Sequence, residues 1–304
     1  MLNATRKKVL KRASVFAICG SLAVGQMGAM LRLDGQHAAA NEVGTETIYY
    51  EDMAYGADST FQGEGTMTTT TYNVYCDEVV ILESVLIADV PSFGNGDTSM
   101  ENVCGPVAGT NIVGYYDRWC TNLIPDYEPG MVTSSGAYRY FPDLALEATC
   151  NVIETLYDLM KVAEIGGTTS KNFKSGLNTY VSNQGYSLSY YSFYSSATMV
   201  DLDKLTTAVE QGKVGLVMCS EYNYIGSITN VTSEGRVLVS KKNSTTGHMM
   251  MVFGYQTLAF YQDGEYLESR TFLYVCSGYG SCDIGYMELN DFSVIDEALI
   301  MTIA

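Results

Sequence analysis

The stretch Asn102-Val103-Cys104-Gly105-Pro106-Val107-Ala108-Gly109-Thr110-Asn111-Ile112-Val113-Gly114-Tyr115-Tyr116-Asp117-Arg118-Trp119 constrains the fold more than any other. It reads as a loop running into a helix, with a cysteine at the junction. Pro106 belongs in a first helical turn, where its missing N–H leaves no hydrogen bond unmade. Val107, Ala108, Ile112, Tyr115 and Trp119 recur at three- and four-residue steps, which predicts one apolar helix face. Gly109 and Gly114 are poor helix formers, so their place in this pattern predicts close packing against other elements. Cys104 then sits where unpaired amides and the positive end of the helix dipole point, a setting that predicts a lowered thiol pKa. The thiolate is the nucleophilic form, so covalent catalysis is what this position offers. The alternative is a buried structural cysteine or half of a disulfide.

A cysteine nucleophile needs a base, and the chain holds only two histidines, His37 and His248. Residues 1–40 read as an export signal. Arg6, Lys7, Lys8, Lys11 and Arg12 form a basic start, Ala13 to Met30 is apolar, and Ala38-Ala39-Ala40 offers small residues for cleavage. Removing this segment takes Cys19 and His37 with it, so His248 becomes the sole imidazole of the mature chain. It also takes six basic residues and one acidic one, moving the net charge from −17 to −22. That charge argues against nucleic acid or an anionic membrane as partner, since both need a basic surface. The expected location is extracellular or in the cell envelope. Seven cysteines remain, Cys76, Cys104, Cys120, Cys150, Cys219, Cys276 and Cys282, and an odd count in an exported chain predicts one unpaired thiol. One mature histidine and no Cys-x-x-Cys spacing give no zinc ligand set, so no metal and no cofactor is expected.

At 47% hydrophobic residues the chain has enough apolar mass for a proper core. Residues 41–86 are polar and acidic, with a threonine run and no helical period, and read either as a propeptide or as an N-terminal arm with a strand or two. Residues 87–304 read as one domain. Val79 to Asp89 predicts a strand, and Val90-Pro91-Ser92-Phe93 a strand end. Asp143 is a candidate cap for a helix from Leu144 to Glu164, stopped by Gly166-Gly167. A second helix follows from Lys171 to Asn183, closed by Gly185, and Asp201 caps a third, ended by Gly212. Strands are predicted over 186–194, 214–219, 227–231, 236–240, 248–255, 272–276 and 286–289, with Asp263-Gly264 as a hairpin turn. Helices first and antiparallel strands after make an α+β pattern. Gly247-His248-Met249-Met250-Met251-Val252-Phe253-Gly254-Tyr255 puts His248 at the start of a fully apolar strand, where a side chain reaches a cleft rim more readily than from mid-strand.

Asn-x-Cys-Gly-Pro-x-Ala-Gly-x-Asn with Tyr-Tyr-Asp downstream, then Gly-His-Met-Met-Met-Val-x-Gly-Tyr, resembles the secreted papain-like cysteine peptidases of bacteria. The nearer branch is that of bacteriocin-processing-like (double-glycine-peptidase-like) domains, with staphopain and streptopain more distant. Ile165-Gly166-Gly167-Thr168-Thr169 before Phe173, and Leu273-Tyr274-Val275 leading to Gly278-Tyr279-Gly280, are further points of similarity, and the likeness spans roughly 87–290. It implies a papain-like fold, in which a helical half carrying the cysteine at a helix N-terminus packs on an antiparallel sheet carrying the histidine. It implies Cys104 as nucleophile and His248 as general base and acid, acting on a peptide or protein substrate. The family has a glutamine a few residues before the cysteine, donating to the oxyanion. Here Asn95 takes that place, with Asn102 as the other nearby amide, itself a candidate helix cap. The third member, which orients the imidazole, has no Asn or Asp in register in Cys276-Ser277-Gly278; Asp283, shortly after, is the substitute. Two other readings use the same residues: an amidase or acyl-transfer enzyme on the same dyad, or an exported binding module with Cys104 tied in a disulfide.

Overall fold

A computed structural model of the chain describes residues 43–49, 66–75, 78–88, 90–94, 100–125, 131–132, 138–139, 146–162, 167–197, 199–225, 228–231, 236–244, 247–278, 284–289 and 293–304. The export signal with Cys19 and His37, and the candidates Cys76, Asn95, Asp143, Cys282 and Asp283, lie outside the described residues. The helices are α1 (Cys104–Tyr116), α2 (Leu146–Leu159), α3 (Ser170–Asn183) and α4 (Leu202–Glu210). The strands are β1 (Val43–Tyr49), β2 (Thr66–Tyr75), β3 (Glu78–Leu86), β4 (Met131–Val132), β5 (Tyr138–Arg139), β6 (Leu188–Ser192), β7 (Tyr194–Ser196), β8 (Met199–Val200), β9 (Val214–Ile225), β10 (Ile228–Val231), β11 (Arg236–Ser244), β12 (His248–Gln262), β13 (Glu265–Cys276), β14 (Ile284–Glu288) and β15 (Val294–Ile303).

The architecture is mixed α+β around an antiparallel sheet. Eleven strands join in the order β1-β2-β11-β9-β14-β13-β12-β3, with β10 beside β11, and with β15 beside β9 and carrying β6 on its other edge. β12 also pairs β9, His248 opposite Cys219, so β9, β14, β13 and β12 close into a ring. β3 pairs β12 from Leu86 opposite Gly254 to Glu78 opposite Tyr261, so the sheet runs across the 86/87 boundary.

β12 is apolar from Met249 to Tyr255 because both its faces are buried there. Side chains alternate across a strand, so Met249, Met251 and Phe253 enter the layer shared with the helices. Met250, Val252 and Tyr255 enter the layer on the opposite side, with Leu205, Ala208 and Val209 of α4. The register slips between Val252 and Gly254, where the β3 backbone comes so close that a side chain at 254 would strike Val85 O. The turn at Asp263-Gly264 has both residues at positive φ, 52° and 78°, the twist that joins two antiparallel strands through two residues.

α1 is buried on every side from Gly105 to Tyr116, which corrects the expectation of a single apolar face. α2 and α3 cover one side of it and the sheet covers the other. The two glycines make the approach possible: a Cβ at 109 would lie 3.0 Å from Met160 Cε and 3.1 Å from Leu156 Cδ1, and one at 114 would lie 2.9 Å from the Phe93 ring. Trp119 lies beyond the helix end and is 63% exposed, edge-on to Tyr115.

α2 stops at Leu159, short of the predicted Glu164, and the chain turns through Lys161 at φ 52°. Thr169 caps α3 by accepting from Asn172 N, and Asp201 caps α4 by accepting from Lys204 N. β15 had no counterpart in the sequence reading. Leu299 and Met301 face one layer and Ala298 and Ile300 the other, so it shows no polar alternation.

Candidate active site

Cys104 is the first residue of α1 and His248 the first of β12, as the sequence predicted. The helix begins without a side-chain cap. Its N-cap residue is Val103, and Asn102, one place earlier, is in the left-handed region at φ 58°. Asn102 is therefore not the cap. With no side chain claiming the first amides, those of Cys104 and Gly105 face the Cys104 sulfur. A third backbone amide, that of Met249, reaches it from β12. Met249 follows His248 directly in β12, so the residue whose amide reaches the sulfur is the chain neighbour of the imidazole-bearing one. Met249 Sδ and Thr168 pack against Gly105.

Burial dominates the thiol. Removing it from water pushes its pKa above the ordinary value, and the amides of Met249, Gly105 and Cys104 offset only part of that rise. The expectation of a lowered pKa from the helix start is thus reversed. Desolvation also pushes His248 down to about 4, opposed by its hydrogen bond to Ser277. Both groups are neutral at neutral pH.

His248 is 2% exposed. Its Nε2 lies 2.7 Å from the main-chain oxygen of Ser277, just past the end of β13. A carbonyl only accepts, so Nε2 carries the proton and the neutral ring keeps its lone pair at Nδ1. The imidazole is thus held by a main-chain carbonyl, while Asp283, the orienter the sequence offered, lies outside the described residues. Tyr222 of β9 stacks on the imidazole, centroids 5.3 Å apart and planes 20° from parallel. Cys104 as a residue is half-buried although its thiol is desolvated, whereas His248 is buried throughout.

The segment 90–94 runs beside α1 and is buried although it belongs to no strand. Asn111, fully buried two turns into α1, holds it with both ends of its amide: Oδ1 accepts from Phe93 N at 2.7 Å, and Nδ2 donates to Phe93 O at 3.1 Å. Cys276 Sγ donates to Pro91 O at 3.2 Å. Asn95 would follow directly on this segment in sequence. The sequence reading assigned no role to Asn111, Cys276, Ser277 or Tyr222.

Among the described residues no cysteine is in a disulfide; Cys104, Cys120, Cys150, Cys219 and Cys276 are all thiols. No group of three or more His, Cys, Asp or Glu among them forms a metal-ligand set. An open surface groove of about 750 Å³ runs along α3 and β6, lined by Thr169, Ser170, Lys174 and Tyr190 among others. No family model, no curated protein and no solved structure matches this chain.

Proposed function

We propose that the protein is an exported thiol-dependent peptidase of papain-like fold, with Cys104 as nucleophile and His248 as general base and acid. The observation that carries this reading is the junction of α1 and β12. The Cys104 sulfur at a helix start takes the amide of Met249, next to a histidine whose Nε2 is fixed on Ser277 O.

Because both groups rest neutral, the imidazole acts as a base during attack and not as half of a standing ion pair. The Cys104 sulfur bonds to the substrate carbonyl carbon while its proton passes to His248 Nδ1. The tetrahedral oxygen takes the negative charge, for which the Cys104 backbone N–H at the start of α1 is an available donor. His248 then gives the proton to the leaving amine as the C–N bond breaks, leaving a thioester on Cys104. Water, deprotonated by the same nitrogen, releases the acid and restores the thiol. The Ser277 carbonyl stabilises the imidazolium that forms in between and holds the tautomer, as a buried carboxylate does in a serine triad.

The test is a casein or peptide-library digest by the reduced protein against Cys104→Ala and His248→Ala. Each substitution is expected to lower kcat by roughly 10⁴-fold or more. Equal activity in parent and Cys104→Ala, or none in either, would overturn the reading. A product carrying a new acyl acceptor in place of water would reassign the dyad to acyl transfer.

A further inference from the structure

We infer that Asn111 and Cys276 are positioning residues that, through the 90–94 segment, fix the carbonyl orienting His248; the inference rests on the reading of Cys104 and His248 as a catalytic pair. The argument starts from Ser277. β13 ends at Cys276, whose last ladder partners are Met251 and Ile284. Ser277 lies past the ladder, so strand pairing does not by itself place its carbonyl.

The tether is the hydrogen bond one residue earlier, Cys276 Sγ to Pro91 O. Pro91 in turn sits in a segment with no ladder of its own. Upstream, Ile87 N donates to Phe253 O at 2.8 Å, and downstream Asn111 clamps both polar groups of the Phe93 backbone. Two hydrogen bonds from one planar amide fix rotation as well as distance, and a fully buried amide is strongly held to them because breaking either strands a polar atom away from water. The Phe93 ring wedges against Gly114 of the same helix.

The helix that presents the Cys104 sulfur therefore also sets the Ser277 carbonyl, by way of Asn111, Phe93, Pro91 and Cys276. Nucleophile and base are referenced to one rigid element, although they sit on different elements of the fold. A thiol is a weak donor, so a hydroxyl in its place keeps the tether.

The experiment uses the full chain in a His37→Gln background, which leaves one imidazole, labelled with [15N]histidine. Spectra read the tautomer and titration of His248 in the parent, Asn111→Ala, Cys276→Ala, Cys276→Ser and Met160→Ala. Met160→Ala serves as a core cavity away from the segment. The parent is expected to show the Nε2–H form alone. Asn111→Ala and Cys276→Ala are expected to admit the Nδ1–H form and to move the titration midpoint further down, because the Ser277 carbonyl favours the charged ring, with kcat lowered by up to ~10²-fold at little change in KM. Cys276→Ser is expected to behave as the parent, and Met160→Ala to lose stability with its tautomer intact. Parental spectra in both alanine variants, or the same change in Met160→Ala, would overturn the inference. Should Asn111→Ala fail to fold, the Cys276 pair decides alone. Absence of peptidase activity in the parent would sink the functional reading, while the imidazole spectra would still decide this one.

Discussion

The ring of Tyr222 lies almost parallel over that of His248, and both are buried to within 2% of full. The stack keeps water from the imidazole, and lost hydration is the main reason its pKa falls to about 4. Tyr222→Leu would open that face. The expected outcome is a His248 titration midpoint moved upward, with the acid limb of kcat/KM moving by the same amount. Tyr222→Phe keeps the ring and is expected to leave both near the parent. The check is histidine NMR against the pH profile; a Tyr222→Leu midpoint that stays near 4 would show that the stack is not what excludes water.

The same depressed pKa predicts acid lability. A folded-state pKa of about 4 against an ordinary 6.5 means that the unfolded chain binds a proton the native one refuses. The stability concerned is fully present above pH 6.5 and is lost as pH falls through 4. Its size is about 3 kcal/mol. Urea midpoints at pH 7 and pH 4 measure it, and His248→Gln should lose less stability over that interval by roughly this amount. An identical pH dependence in both proteins would contradict the burial argument.

The parts of the site legible in sequence were those with a side-chain signature. Cys104 stood out because Pro106 and the apolar period after it mark a helix start, and His248 because a polar residue opens an apolar run. Ser277 was invisible because its main-chain oxygen does the work, and any residue supplies one. Asn111 reads as an ordinary interior helix residue until the 90–94 segment is seen beside it. The sign of the Cys104 shift was misread for a related reason: the helix start is local and readable, whereas the burial that outweighs it comes from β12 and Thr168, distant in sequence. β15 escaped because burial on both faces erases the alternation that marks a strand.

Gly176 allows α3 to pack on the end of α2. A Cβ there would lie 2.8 Å from Met160 N and 2.9 Å from Leu159 C, backbone atoms that have no rotamer to escape into. Gly176→Ala gains helix propensity, worth about 1 kcal/mol at most, but forces the helices apart at a cost of about 1–3 kcal/mol. The expected net result is a lower urea midpoint. A midpoint at or above the parent's would mean that α2 yields without loss.

Arg270 and Glu288 cross from β13 to β14 within the ring that carries His248, Nη1 to Oε1 at 3.0 Å, with Glu288 only 3% exposed. Arg270 also forks onto the Glu268 carboxylate at 3.0 and 3.1 Å, which holds its plane. Burial lowers the Arg270 pKa, and the Glu288 charge offsets part of that. Arg270→Leu would leave the Glu288 carboxylate buried without its guanidinium, at about 3–5 kcal/mol. The double variant Arg270→Leu/Glu288→Leu replaces the pair with apolar bulk and is expected to recover most of the loss, since both desolvation penalties vanish together. Urea midpoints of the parent, both single variants and the double close the cycle. If the double variant is as unstable as the sum of the singles, the two side chains act independently and the pair holds no strands together.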